Sequence, residues 1–232
     1  MGIAVVVAVV VFTVFGLMRW AEIMRRHRVH QDRVASGLDE AEAAATIAAA
    51  SARTTVWFAV RTTDVRDVAR VLGLRTARPV PFAEGMQAAK TGLFVAPAGA
   101  AFVMAIGIDA WHRGDLPQVE TALRRLSEAH GEAFWFLVDA DRDCMGWAFA
   151  RRGEMQRAFS FDGSEEQVLW ELGEMTAAER DLGFFVEDAR DLTEDAIKWW
   201  PLPTDVRSLA SRWSVDPARL ADPGQPGLAG RW

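Results

Sequence analysis

"AFWFLVDADRDCMGWAFARRGEMQRAFSFDG", residues 133–163, decides the fold. Three runs rich in aromatic and small apolar side chains are separated by two short polar groups, the pattern of strands joined by tight turns. The reading is three antiparallel strands, at about 134–139, 145–151 and 155–161, with turns at the aspartates and at "RRGE". Consecutive antiparallel strands of this kind build a sheet from local connections, which places the chain in the α+β class if helices flank it.

The first turn carries Asp139, Asp141 and Asp143 at alternate positions, the spacing with which a calcium loop offers its first three carboxylates. Such a loop needs Gly at its sixth position and a bidentate Glu at its twelfth; counted from Asp139, those positions hold Cys144 and Ala150. Strands rather than helices border it. A polar turn is therefore the reading, with a loosely held cation as the alternative. Cys144 is no better placed as a nucleophile, because acidic neighbours raise a thiol's pKa.

Upstream, "GDLPQVETALRRLSEAHG" (114–131) reads as a helix: Asp115 and Gln118 form a capping pair, Pro117 lies in the first turn, Val119, Leu123 and Leu126 make the apolar stripe, and Gly131 marks the end. His130 in its last turn complements the helix dipole. His112 has no adjacent carboxylate or thiol to make it a base. "GLFVAPAGAAFVMAIGI" (92–108) is uncharged and could be a second membrane span, but Pro97 and Gly99 in mid-run favour a buried β-hairpin. "RTARPVPFAEGMQAAKTG" (75–92) is expected to be a connecting loop, and "TTVWFAVRTT" (54–63) a strand followed by a short helix capped by Asp64.

Downstream, Thr176 and Glu179 form a second capping pair, and a helix is expected to end near Trp213. "LASRWSVDPARL" has the rhythm of half a helix-turn-helix, but Pro223, Gly224, Pro226 and Gly227 interrupt where a recognition helix would lie. Residues 221–232 are expected to be a flexible tail. Between them, Trp199 and Trp200 precede Pro201; two adjacent indoles cannot easily both face the core, so one ring is expected to be buried and the other exposed, either with both lying over the core as a lid or with the exposed ring as a partner-binding anchor.

The start of the chain differs in kind. Residues 2–18, "GIAVVVAVVVFTVFGLM", carry no charge, and a helix of that length spans about 25 Å, enough for a bilayer core. A cleaved signal peptide would need a basic region before the apolar stretch, where only Met1 and Gly2 stand. Trp20 suits the interface, and Arg19, Arg25, Arg26 and Arg28 on the C-terminal side place the N-terminus outside and the body in the cytoplasm. The expected organisation is a transmembrane anchor (1–20), a basic juxtamembrane segment with a helical stalk (21–53), an α+β domain of antiparallel sheet and a few helices (54–220), and the tail. The lipid bilayer is then the first partner.

Charge limits the others. The chain has 232 residues, a formal charge of −6 and a pI near 5.3, so no nucleic-acid partner is expected and a basic protein suits it better. Ten Trp and thirteen Phe stand beside no Tyr. No P-loop, G-x-S-x-G, H-E-x-x-H or C-x-x-C occurs, and no cofactor is expected.

"GWAFARRGEMQRAFSFDG", then "GEMTAAE" and "WSVDP" (213–217), resemble a group of uncharacterised bacterial proteins with a Trp-Ala-x-Ala-Arg strand, an Arg-Ala-Phe or Arg-Ala-Tyr strand, Gly-Glu-x-Thr-x-x-Glu and a terminal Trp-Ser-Val-Asp-Pro. The resemblance implies a compact α+β domain with an immunity or partner-binding role, and lends no catalytic residue. The expected function is thus a membrane-tethered binding module, an immunity protein that neutralises a toxin; an enzyme, hydrolase or transferase, with an unrecognised site and a membrane assembly factor are the alternatives.

Overall fold

The computed structural model describes residues 54–107, 116–165, 167–184, 201–217 and 224–231. The chain divides into two units, Met1–Ser51 and Ala52–Trp232. The first lies outside the described residues, and with it the expected anchor, its flanking arginines and the stalk. No helix among the described residues is long and apolar enough to cross a membrane.

The second unit is α+β: one antiparallel sheet of nine strands with a few helices. The strands are β1 (Thr54–Val60), β2 (Arg75–Val80), β3 (Leu93–Ala98), β4 (Phe102–Ile106), β5 (Glu132–Asp139), β6 (Cys144–Arg151), β7 (Glu154–Asp162), β8 (Gln167–Leu172) and β9 (Gly227–Arg231). Their order across the sheet is β2-β9-β3-β4-β1-β5-β6-β7-β8. The helices are α1 (Val65–Val71), α2 (Phe82–Ala88), α3 (Leu116–His130), α4 (Ala177–Asp181) and α5 (Pro203–Trp213).

The three strands read from residues 133–163 are β5, β6 and β7, joined as a meander in which Phe136 pairs Trp147 and Trp147 pairs Phe159. The stretch at 92–107 is the hairpin β3–β4, paired from Phe94↔Ile106 to Ala98↔Phe102. Helix α1 begins where Asp64 accepts a hydrogen bond from the Asp67 amide at 2.9 Å. Helix α3 covers the expected span; its Asp115 cap lies outside the described residues.

The sheet is covered on both faces, which is why its central strands read as nearly continuous apolar runs rather than as alternating ones. On the first face, α1 and α3 pack over Val56, Phe58, Trp135, Leu137 and Ala148. On the second face, α5, with Ala178 of α4 and Met86 of α2, covers Trp57, Phe94, Phe136, Trp147 and Phe159. Register aligns this second set in one row: Phe94↔Ile106↔Trp57↔Phe136↔Trp147↔Phe159 runs across six strands. Trp57 and Phe136 stack with centroids 5.1 Å apart, and Trp147 and Phe159 lie 4.9 Å apart. The corresponding row on the first face sets Trp135 opposite Ala148, and Ala148 opposite Ala158, so one large ring is accommodated by small neighbours.

Two expectations are corrected. Residues 75–92 are not a bare loop but hold β2 and α2; Pro79 and Pro81 mark an edge strand and a helix start instead of irregular chain. The tail holds a strand at 227–231: β9 lies between β2 and β3, pairing Ala229 with Phe94 and Gly227 with Val80. Its glycines serve close approach. A Cβ on Gly227, or on Gly85 of α2, would overlap the Phe94 ring.

Candidate functional site

The motifs singled out in the sequence converge on the second face of the sheet. Trp147 on β6 and Arg157 on β7 point toward α4, whose Thr176–Glu179 pair forms the expected capping box: the Thr176 amide donates to Glu179 Oε2 at 2.7 Å, and the Glu179 amide to Thr176 Oγ1 at 3.2 Å. Capping accounts for one oxygen of the Glu179 carboxylate. The other accepts the Trp147 indole N–H at 2.7 Å and Arg157 Nε at 2.9 Å. Arg157 also donates to the Leu172 and Gly173 carbonyls, at 3.3 and 3.0 Å, and so grips the turn between β8 and α4. Gly173 has φ +76°, and a Cβ there would strike the Gln156 carbonyl, so only glycine lets that turn lie flat on β7.

Arg157 is 2% exposed and Glu179 fully buried. A buried carboxylate needs its charge answered and its lone pairs filled, and here a guanidinium, an indole and a backbone amide do both. The arrangement binds α4 to the sheet; its carboxylate is shielded from solvent and committed to internal donors, which suits it to fastening rather than to proton transfer.

The second convergence is at Trp213–Pro217. The Trp213 ring packs against Phe134, Phe136 and Phe149, with centroids 6.2, 6.1 and 5.0 Å away. The Val215 carbonyl accepts the Trp57 indole N–H at 3.2 Å, and Asp216 accepts from Arg207 of α5, also at 3.2 Å. Both convergences thus hold the elements that follow β8 against the aromatic row.

The aspartate turn is a local device too. Asp139 is buried, and its Oδ1 accepts the amides of Asp141 and Arg142, each at 3.2 Å, while Arg142 reaches its Oδ2 at 3.3 Å. Asp141 and Asp143 are exposed. Among the described residues no group of three His, Cys, Asp or Glu side chains gathers as a metal site. Cys144 is buried. His112, Trp199 and Trp200 lie outside the described residues.

Two polar clusters had no sequence signal, because their members are far apart in the chain. Glu132 bridges Arg61 and Arg151, at 2.6 Å to each. Burial pushes its carboxyl up, but the hydrogen bonds and charges of Arg151 and Arg61 outweigh that and hold it below its ordinary value. His130 Nε2 lies 3.1 Å from Asp67, linking α3 to α1. Arg157 did leave a signal: a lone arginine inside the apolar run "MQRAFSF" of a central strand needs a buried carboxylate partner.

No family model matches the chain, and no curated protein or solved structure matches it.

Proposed function

We propose that this chain is a membrane-tethered module that binds a protein partner, held at the bilayer through residues 2–18 with its domain in the cytoplasm. The observation that carries the binding reading is the use made of the buried polar groups: Glu179 and Arg157 tie α4 to the sheet, Asp216 ties the segment after α5 back to that helix, and Asp139 fixes its own turn. A domain whose interior charges are spent on rigidity offers its surroundings a shaped and charged surface. That surface belongs to a chain of formal charge −6, which suits a basic polypeptide. The resemblance to the uncharacterised bacterial group supports an immunity-type role, in which such a surface covers a basic toxin domain.

The tether rests on the uncharged residues 2–18 and on the arginines that follow them, Arg19, Arg25, Arg26 and Arg28, with Trp20 at the interface. Membranes from the native host test both parts. The full-length chain should resist high-salt and carbonate washes, and cross-linking should yield a protein that re-forms a saturable complex with it from purified components. That complex should weaken as salt shortens the Debye length from about 8 Å to about 3 Å. Release by the washes would contradict the tether, and failure of any captured protein to re-form a complex would contradict the binding role.

A further inference from the structure

The two edges of the sheet are built differently. At one end, β2 carries Arg75 and Arg78, contains Pro79, which has no N–H to offer, and is interrupted between Arg75 and Arg78, where Thr76 has φ +52°. Proline, charge and irregularity are the devices by which natural sheets block an edge against further strands. At the other end, β8 (QVLWEL) has no proline, and among the described residues no strand pairs with its outer side. Its one irregularity is the bulge opposite Ser160 and Phe161. Every second backbone N–H and C=O of such a strand points away from the sheet, ready for another chain.

Charge says which chain. Residues 163–174, "GSEEQVLWELGE", hold four glutamates and no Lys or Arg, and Glu165, Glu171 and Glu174 are exposed, Glu171 while also lying 3.8 Å from Arg157 of β7. Val168, in the middle of this stretch, is 46% exposed and is the large apolar side chain most open to solvent among the described residues. Pairing of two β8 strands from separate copies would bring these glutamates together, and the blocked β2 edge does not complement β8 in a second copy.

We infer that the outer edge of β8 receives an extended basic segment of another protein as a tenth strand, its backbone bonded to β8 and its Lys or Arg side chains set against Glu165, Glu171 and Glu174. This rests on the protein-binding reading above and gives it a place and a chemistry: main-chain pairing supplies the affinity and the glutamates select the charge.

The test is amide hydrogen exchange of residues 167–172 in the full-length protein in detergent. The probe is a peptide of about twelve alternating Lys and Val residues, ample to span a short strand. Two controls accompany it: a Glu and Val peptide of equal length, and a Lys peptide of equal charge with prolines in place of its central valines. The Lys and Val peptide should slow β8 exchange by about tenfold or more, and neither control should. Val168→Pro should abolish the effect. Val168→Lys, at an exposed position that leaves the fold intact, should weaken it at least as far as added salt does.

Unchanged exchange with the Lys and Val peptide overturns the inference, as does equal slowing by the Glu peptide. So does strong protection of 167–172 before any peptide is added, which would mean that this chain or a second copy already occupies the edge. If a host partner re-forms its complex and β8 exchange stays the same, the edge is wrong and the binding role stands. If the peptide protects β8 but the host yields no partner, the binding role falls and the chemistry of the edge stands.

Discussion

Replacing Glu179 by Gln tests the claim that the converging motif residues fasten the fold. Glutamine keeps nearly the same volume and its oxygen can still accept the Trp147 N–H, but its NH2 then faces the Thr176 amide. The change therefore removes the nearest charge to Arg157, which is 2% exposed, together with one bond of the capping box, and leaves the exposed Glu171 at 3.8 Å from Arg157. Breaking a buried ion pair by removing one partner costs about 3–5 kcal/mol. With a urea m-value of about 2 kcal/mol/M for a domain of this size, the midpoint should fall by about 1.5–2.5 M. Tryptophan fluorescence of the full-length chain in detergent reads it directly, since Trp147 sits in the network. The double variant Arg157→Met with Glu179→Leu removes both charges and should lose less than the two single variants together, because no lone buried charge is left, although the Trp147 N–H and the Leu172 and Gly173 carbonyls lose their partners. A shift below about 0.3 M for Glu179→Gln, or a double variant that loses the sum of the single losses, would refute the reasoning.

Ending the chain after residue 223 removes β9 and leaves β2 without its neighbour, so thermal denaturation should show a loss of at least about 5 °C or a domain that no longer folds; a dispensable tail would leave the melting curve unchanged. Glu132 has a depressed native pKa, so its stabilising contribution is present above the ordinary value of 4.5 and is lost as pH falls through the lower native value. Glu132→Gln should therefore lower stability near neutrality and flatten its decline in acid, as melting temperatures across that range would show. Separate Ala substitutions at Trp199 and Trp200 should leave the protein folded and reduce recovery of the host partner for one of the two; equal recovery by both would make the pair structural.

How much of this was legible in the sequence depended on how far apart the contacting residues lie. Meander β5–β6–β7, hairpin β3–β4 and helices α1 and α3 were readable because each closes on itself within a few residues and carries its own turn or cap signals. The Thr176–Glu179 box was readable for the same reason. Strand β9 was not: its pairing with Phe94 spans more than half the chain, and Gly227, which permits close packing against that ring, looks in sequence like a glycine of a loose end. The second and larger job of Glu179 was hidden likewise, since a capping glutamate gives no sign that its other oxygen holds Trp147 and Arg157. The aspartate turn went the other way. Its alternation suggested a cation loop, and its missing Gly and Glu argued for the turn that Asp139 forms with the amides of Asp141 and Arg142.

Site-specific photocrosslinking in living host cells tests the central claim most directly, with a photoreactive residue in place of Val168 on the β8 edge and, as a control, one in place of Thr204 at the exposed start of α5. The account predicts a membrane-bound adduct from position 168 to a single protein whose crosslinked segment is basic and proline-free, and much less of it from position 204. Adducts confined to this chain, a crosslinked segment that is acidic, or the same adducts from both positions would contradict it.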